Sequence, residues 1–170
     1  VRNAKAGETL RTLEGYVDIW LPDLKYATEK TAAQLADAPD YFEVAMEAVR
    51  AMCEQTGLPV YDKDGIMLSG TMIRHLILPL RTAESIAILD AVAQQLPKGT
   101  PVSLMRQYTP MNGVDLPGLD RRLTAREYAK VRDHMLTLEL PGYLQQKEAA
   151  DSAYTPAFMD AESLRLLEHL

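Results

Sequence analysis

Residues 17–25 order their apolar and polar positions along the chain as well as across it. Val17, Ile19, Leu21, Asp23 and Lys25 share one face of an extended segment, and Asp18, Trp20, Pro22 and Leu24 share the other, because successive strand side chains point to opposite faces. The first face begins apolar and ends in a carboxylate and an ammonium. A parallel barrel strand has that profile, filling the core with its early residues and lining a site with its last. Residues 71–78 form a second strand, with Met72, Arg74, Leu76 and Leu78 on one face and Ile73, His75 and Ile77 on the other. Residues 101–107 are a third, and residues 60–68, centred on Asp64-Gly65, carry a β-hairpin signal. Val1-Arg2-Asn3 is expected to end a further strand, and Pro22 lies near the end of its own, where a missing N–H costs little.

Between these strands the period changes to that of a helix. Leu10 and Leu13 mark a short helical connection before Gly15, and residues 28–35 read as a short polar helix. Phe42, Ala45, Met46, Val49, Met52 and Cys53 recur at helical spacing up to Gly57, and Asp40 with Glu43 predicts a capping box at the start. Ile86, Leu89, Val92, Ala93 and Leu96 make the next stripe, ended by Pro97-Lys98-Gly99. Thr124 and Glu127 predict a second capping box ahead of Tyr128, Val131, Met135 and Leu138. A long loop over residues 110–122 precedes it, a length usually kept for a site or a partner.

Strand, helix, strand, helix, strand, helix is the order of an α/β fold with a mainly parallel sheet and right-handed crossovers. Three main strands and a stub do not close a barrel, and the first is expected to present an open edge and to favour self-association. Residues 1–144 are expected to form one unit and residues 145–170 a tail with a possible helix from Asp160.

At 170 residues the chain is about one domain, and 47% hydrophobic residues exclude a disordered one. A net charge of −6 gives no electrostatic reason to expect nucleic acid or an anionic membrane. No run approaches the roughly 20 apolar residues of a membrane span. The single Cys53 excludes an internal disulfide framework and fits a reducing, cytoplasmic setting; on an apolar helix face it reads as a buried, inert thiol. Val at position 1 in place of Met leads us to expect a piece of a longer protein.

Polar residues gather at strand ends: Asp23 and Lys25, Arg74, then Gln107 and Tyr108. In parallel α/β proteins those ends form the ligand face. Lys25 and Arg74 suit a carboxylate, and Asp23 suits an ammonium or hydroxyls, so an amino acid or nucleoside derivative satisfies all three. The alternative for Arg74 is a structural ion pair with a neighbouring strand. No Gly-rich phosphate loop, Ser/His/Asp order or Cys/His metal spacing occurs, and Asp62-Lys63-Asp64-Gly65 lacks most of a calcium loop. His75, His134 and His169 sit on different elements, and His75 reads as a hydrogen-bonding group beneath a helix.

Val-Asp-Ile-Trp-Leu-Pro-Asp-Leu-Lys-Tyr, Ile73-Arg74-His75-Leu76-Ile77-Leu78-Pro79 and Val102-Ser103-Leu104-Met105-Arg106-Gln107-Tyr108-Thr109-Pro110 resemble the last strands of a radical SAM protein. The similarity is to the pyruvate formate-lyase activating enzyme-like branch, extends to Ala38-Pro39-Asp40-Tyr41 and Tyr154-Thr155-Pro156, and covers the chain up to about Phe158. It implies the C-terminal half of a partial (β/α)6 TIM-like barrel, strands four to six, with S-adenosylmethionine (SAM) and a [4Fe–4S] cluster at the strand ends of the whole protein. The CxxxCxxC motif that holds the cluster is not in this sequence. The positions that line the SAM site in the family match Asp23, Lys25, Arg74, Leu76 and Tyr108, with Asn3 a weaker match; activating enzymes proper carry His where Tyr108 stands. The resemblance implies a whole protein that cleaves SAM to a 5′-deoxyadenosyl radical. Its implied partners are a glycyl radical enzyme and a flavodoxin or ferredoxin donor. This chain alone is expected to be inactive. Two other classes fit the residues: an α/β module binding an amino-acid-like ligand, and a TIM-barrel lyase fragment that uses Lys25 as a Schiff base.

Overall fold

In the computed structural model, residues 2–110 and 116–145 are described. The tail helix expected from Asp160, the Tyr154-Thr155-Pro156 motif and part of the long loop lie outside them. The strands are β1 (Ile19–Trp20), β2 (Val60–Tyr61), β3 (Met67–Thr71), β4 (Ile73–Leu76), β5 (Val102–Met105) and β6 (Gly142–Leu144). The helices are α1 (Arg2–Thr12), α2 (Glu29–Ala36), α3 (Tyr41–Thr56), α4 (Thr82–Gln95) and α5 (Ala125–Thr137). The predicted hairpin is β2 antiparallel to β3; β1 with β3, β4 with β5 and β5 with β6 are parallel. The parallel strands thus follow one another in chain order with a helical crossover between each pair, while the antiparallel β2 lies on the other side of β3 from β1.

β3 and β4 are two halves of one extended run. Gly70 N–H donates to Asp18, Met72 N–H to Trp20 and Arg74 N–H to Pro22, at 2.8–2.9 Å, and Leu24 N–H returns a bond to Arg74 at 3.0 Å. Pro22 accepts but has no N–H to give back, and the partner strand is interrupted at Met72, opposite that gap. The strand predicted from the sequence therefore runs as expected, with its regular ladder broken at one level.

The core takes alternate residues only. Leu24, Ile73, Ile77, Val102 and Leu104 are fully buried against Met46, Val49 and Cys53 of α3, Ile88, Leu89 and Val92 of α4, and Tyr128, Val131 and Met135 of α5. Residues on the other face, Leu21, Asp23, Arg74, Leu76, Ser103 and Met105, stay partly or fully exposed. So the helices cover one side of the sheet, and the early odd-numbered residues of the 17–25 segment fill no core here. Burying those three helix stripes at about 25 cal/mol per Å² of apolar surface is the main stabilising term. Cys53 is buried as expected, and burial pushes its thiol above the ordinary range.

Three local expectations are corrected. Arg2 and Asn3 lie in α1 rather than at a strand end, and α1 packs on α3. Asp40 makes no side-chain cap to α3, whereas Thr124 and Glu127 do form a reciprocal capping box on α5. A fourth parallel strand, β6, stands just before the expected tail, where the sequence reading has no strand. Among the described residues the strands form two three-stranded sheets, β1-β3-β2 and β4-β5-β6, joined through the β3–β4 run and not closed into a barrel, and no helix among them is long and apolar enough to cross a membrane.

Gly142 lets β6 approach β5. Its φ is +147°, and a Cβ there would stand 1.9 Å from the carbonyl oxygen of Val102. Gly142→Ala is expected to cost about 3 kcal/mol and to strip β6 from the sheet. An unchanged urea midpoint would contradict this close approach.

Candidate functional site

β1 and β4 bring three of the expected residues into one group. The Asp23 carboxylate lies between two cations: Arg74 reaches Oδ1 through Nε at 2.8 Å and a terminal nitrogen at 2.7 Å, and Lys25 Nζ lies 3.4 Å from Oδ2. The parallel bridge between Asp23 and Arg74 puts both on the face away from the helices. Their side chains are 32%, 45% and 47% exposed for Asp23, Arg74 and Lys25, so solvent and solutes reach all three. Exposed pairs of this kind contribute roughly 0–1 kcal/mol. The ion pair anticipated for Arg74 is therefore present, and weak enough to exchange partners.

Leu76 follows Arg74 on the same face and, with Lys25, Tyr26 and Arg81, lines a narrow crevice. Tyr108 does not join the group: its hydroxyl donates to the Leu119 carbonyl at 2.8 Å, fixing the strand end to the loop that follows. Asn3 stands on α1, its side chain outside the described set. Gln107 also has a structural partner, accepting from Gln145 at 2.8 Å. Larger cavities of about 320 and 360 Å³ exist, one between α1 and α3 and one at the start of α3; neither is lined by Asp23, Lys25 or Arg74.

Two residues hold the backbone of this strand end: Tyr41, for which the sequence suggested no such role, and His75, which bonds as the sequence reading expects. Tyr41, the first residue of α3, donates its hydroxyl to the Asp23 carbonyl at 2.9 Å and accepts from the Lys25 N–H at 3.0 Å. Burial pushes the phenol up to about 12. His75 bonds through Nδ1 to the Leu24 carbonyl at 2.7 Å, and its Nε2 is buried without a partner. Burial lowers the imidazole's proton affinity, so it is neutral with its proton on Nδ1.

Glutamates from the next helix fasten the loops around the strand ends. Glu84 of α4 accepts from the N–H groups of Ala27 (2.7 Å) and Thr28 (3.0 Å) and from the hydroxyls of Thr28 and Thr31. Glu127 of α5 accepts from the Leu80 N–H at 2.8 Å and takes a bidentate Arg121 at 2.9 Å. Among the described residues no group of three His, Cys, Asp or Glu is placed to hold a metal ion.

Burial pushes the Glu84 carboxyl up, but its hydrogen bonds outweigh that and hold it below the ordinary value of 4.5. Arg121, with the amides and hydroxyl around it, holds Glu127 far below the same value. Lowered folded-state values add stability above the unfolded value and lose it as pH falls through and below it. Glu84→Gln and Glu127→Gln are each expected to melt about 3 °C below the native chain at pH 7. That gap should narrow progressively as pH falls below about 4; melts showing a pH-independent gap would contradict the clamps.

The chain is 27% identical to the uncharacterized protein MJ0674 of Methanocaldococcus jannaschii over 125 residues, 72% of this chain and 32% of that protein. It thus spans about a third of the length of that curated relative. No family model matches the chain, and no solved structure matches it.

Proposed function

We propose that this chain is the SAM-binding half of a radical SAM enzyme of the pyruvate formate-lyase activating enzyme-like branch, forming strands four to six of a partial (β/α)6 barrel. One observation carries the reading. Asp23, Lys25 and Arg74 meet at the ends of adjacent parallel strands, on the sheet face that the helices leave open. That face is the interior of a barrel, and strands adjacent in chain order with helices on one side are how a barrel is wound.

The chemistry of the three groups suits the ligand. Lys25 and Arg74 offer charge-assisted bonds to the methionyl carboxylate, Asp23 offers acceptors to an ammonium or ribose hydroxyls, and Leu76 offers apolar contact to the adenine. A ligand carboxylate takes over cations that Asp23 now holds, a cheap exchange for exposed pairs. Tyr108 enters the reading only through its matched position, since its hydroxyl is committed to Leu119. The residues present do not fit an iron–sulfur cluster, because the single cysteine is buried in α3. The chain therefore binds SAM without cleaving it. Radical chemistry, a glycyl radical partner and a flavodoxin or ferredoxin donor belong to a whole protein.

Lys25 as a Schiff-base nucleophile is the weaker reading. It is half exposed beside a carboxylate, whereas attacking lysines are desolvated or flanked by cations.

Calorimetric titration of SAM into the chain is expected to saturate at one site, with Lys25→Ala and Arg74→Ala each weakening binding about tenfold. No saturation would overturn the proposal. So would borohydride trapping of a carbonyl compound on Lys25, in favour of the lyase. Formation of 5′-deoxyadenosine by the reduced chain would overturn its assignment as inactive.

A further inference from the structure

Asp23 and Lys25 project from one face only while the chain between them stays extended, and β1 is the end strand of its sheet. Four backbone groups of Asp23, Leu24 and Lys25 have partners. On the inner side Leu24 donates to the Arg74 carbonyl at 3.0 Å and accepts from His75 Nδ1 at 2.7 Å. On the outer side no strand pairs with β1 among the described residues, and the Asp23 carbonyl and Lys25 N–H both go to one phenol, that of Tyr41. A hydroxyl that gives and takes at once replaces one rung of a missing ladder. Tyr41 is itself held at the head of a sixteen-residue helix and edge-on against Tyr26, with ring centres 5.2 Å apart.

We infer that Tyr41 is a positioning residue for the SAM site: by bridging the Asp23 carbonyl and the Lys25 amide it keeps both charged side chains aligned with Arg74. This rests on the SAM-binding reading and assigns that site a residue that does not touch the ligand. Because the phenol stays protonated throughout the neutral range, it serves as donor and acceptor under all ordinary conditions. Without its oxygen the Asp23 carbonyl and Lys25 amide turn to water. The ammonium then loses its fixed place beside the carboxylate, while the ring packing on Tyr26 survives.

The test is a double-mutant cycle in SAM affinity on the full 170-residue chain. Tyr41→Phe is expected to weaken SAM binding about tenfold in the native background and less than twofold when Lys25 is already alanine. Asp40→Ala, adjacent to Tyr41 and without a side-chain cap bond, should leave affinity unchanged. An equal loss in both backgrounds, or a lower melting temperature with unchanged affinity, would mean that Tyr41 only supports the fold, and would overturn the inference. If the native chain binds no SAM, the SAM reading falls and this inference with it; if only the Tyr41→Phe result fails, the SAM reading stands. Should Tyr41→Phe not fold, deuterium exchange at the Lys25 amide of the native chain decides: slowing by saturating SAM is expected, and an unchanged rate overturns it.

Discussion

The hydrogen bonds between residues 18–24 and 70–74 decide which side of the sheet every later side chain occupies. Strand side chains alternate with a period of two, so a shift of one strand by one residue in this pairing would carry its charged residue, Asp23 or Arg74, under the helices and bring its core residue, Leu24 or Ile73, out. The register is fixed from both ends. Leu24, Ile73 and Ile77 have no exposure and sit in the core with the stripes of α3, α4 and α5, while the Asp23–Arg74 pair satisfies the open face. An unpaired charge under the helices would cost far more than any slipped pairing could return. The core therefore enforces the site, although none of its residues belongs to it.

Around that pairing the structure relies on side chains where a fuller sheet would use strands. Tyr41 and His75 take up backbone groups at the end of β1, and Glu84 and Glu127 take up amides in the loops before α2 and α4. Each glutamate reaches from the first turn of its own helix to a loop that opens an earlier one, α2 for Glu84 and α4 for Glu127. Loops with their polar groups bound in this way are held by several bonds at once, and such networks are stiffer than isolated pairs. That stiffness lies where the strand ends present their polar residues.

Much of this was legible in the sequence because it depends on local periodicity. The alternation of strands and helices, the hairpin at Asp64-Gly65, the Thr124–Glu127 box and the buried Cys53 all follow from spacings within a few residues. Asp23, Lys25 and Arg74 were legible as a group because a polar residue ending an apolar face is itself a signal. The rest was hidden for physical reasons. Gly142-Tyr143-Leu144 is too short to show a period, and what makes it a strand is a glycine that lets two backbones touch. α1 carries little of an apolar stripe, so nothing local marks Arg2 and Asn3 as helical. Glu84 and Tyr41 act on residues 57 and 18 positions away, and no local pattern encodes such a bond. Tyr108 stood in the right place along the strand, but its hydroxyl found a carbonyl within its own loop.

The shared carboxylate of Asp23 has a consequence for how an anion arrives. Flexible cationic side chains in an empty site sample many rotamers, and a ligand must freeze them as it binds. Here Arg74 and Lys25 are already turned inward by an acid that imitates the guest, one cation on each oxygen. In the proposed SAM site this leaves both cations ordered before a ligand carboxylate arrives. What remains is an exchange of one carboxylate for another at the open face of the sheet.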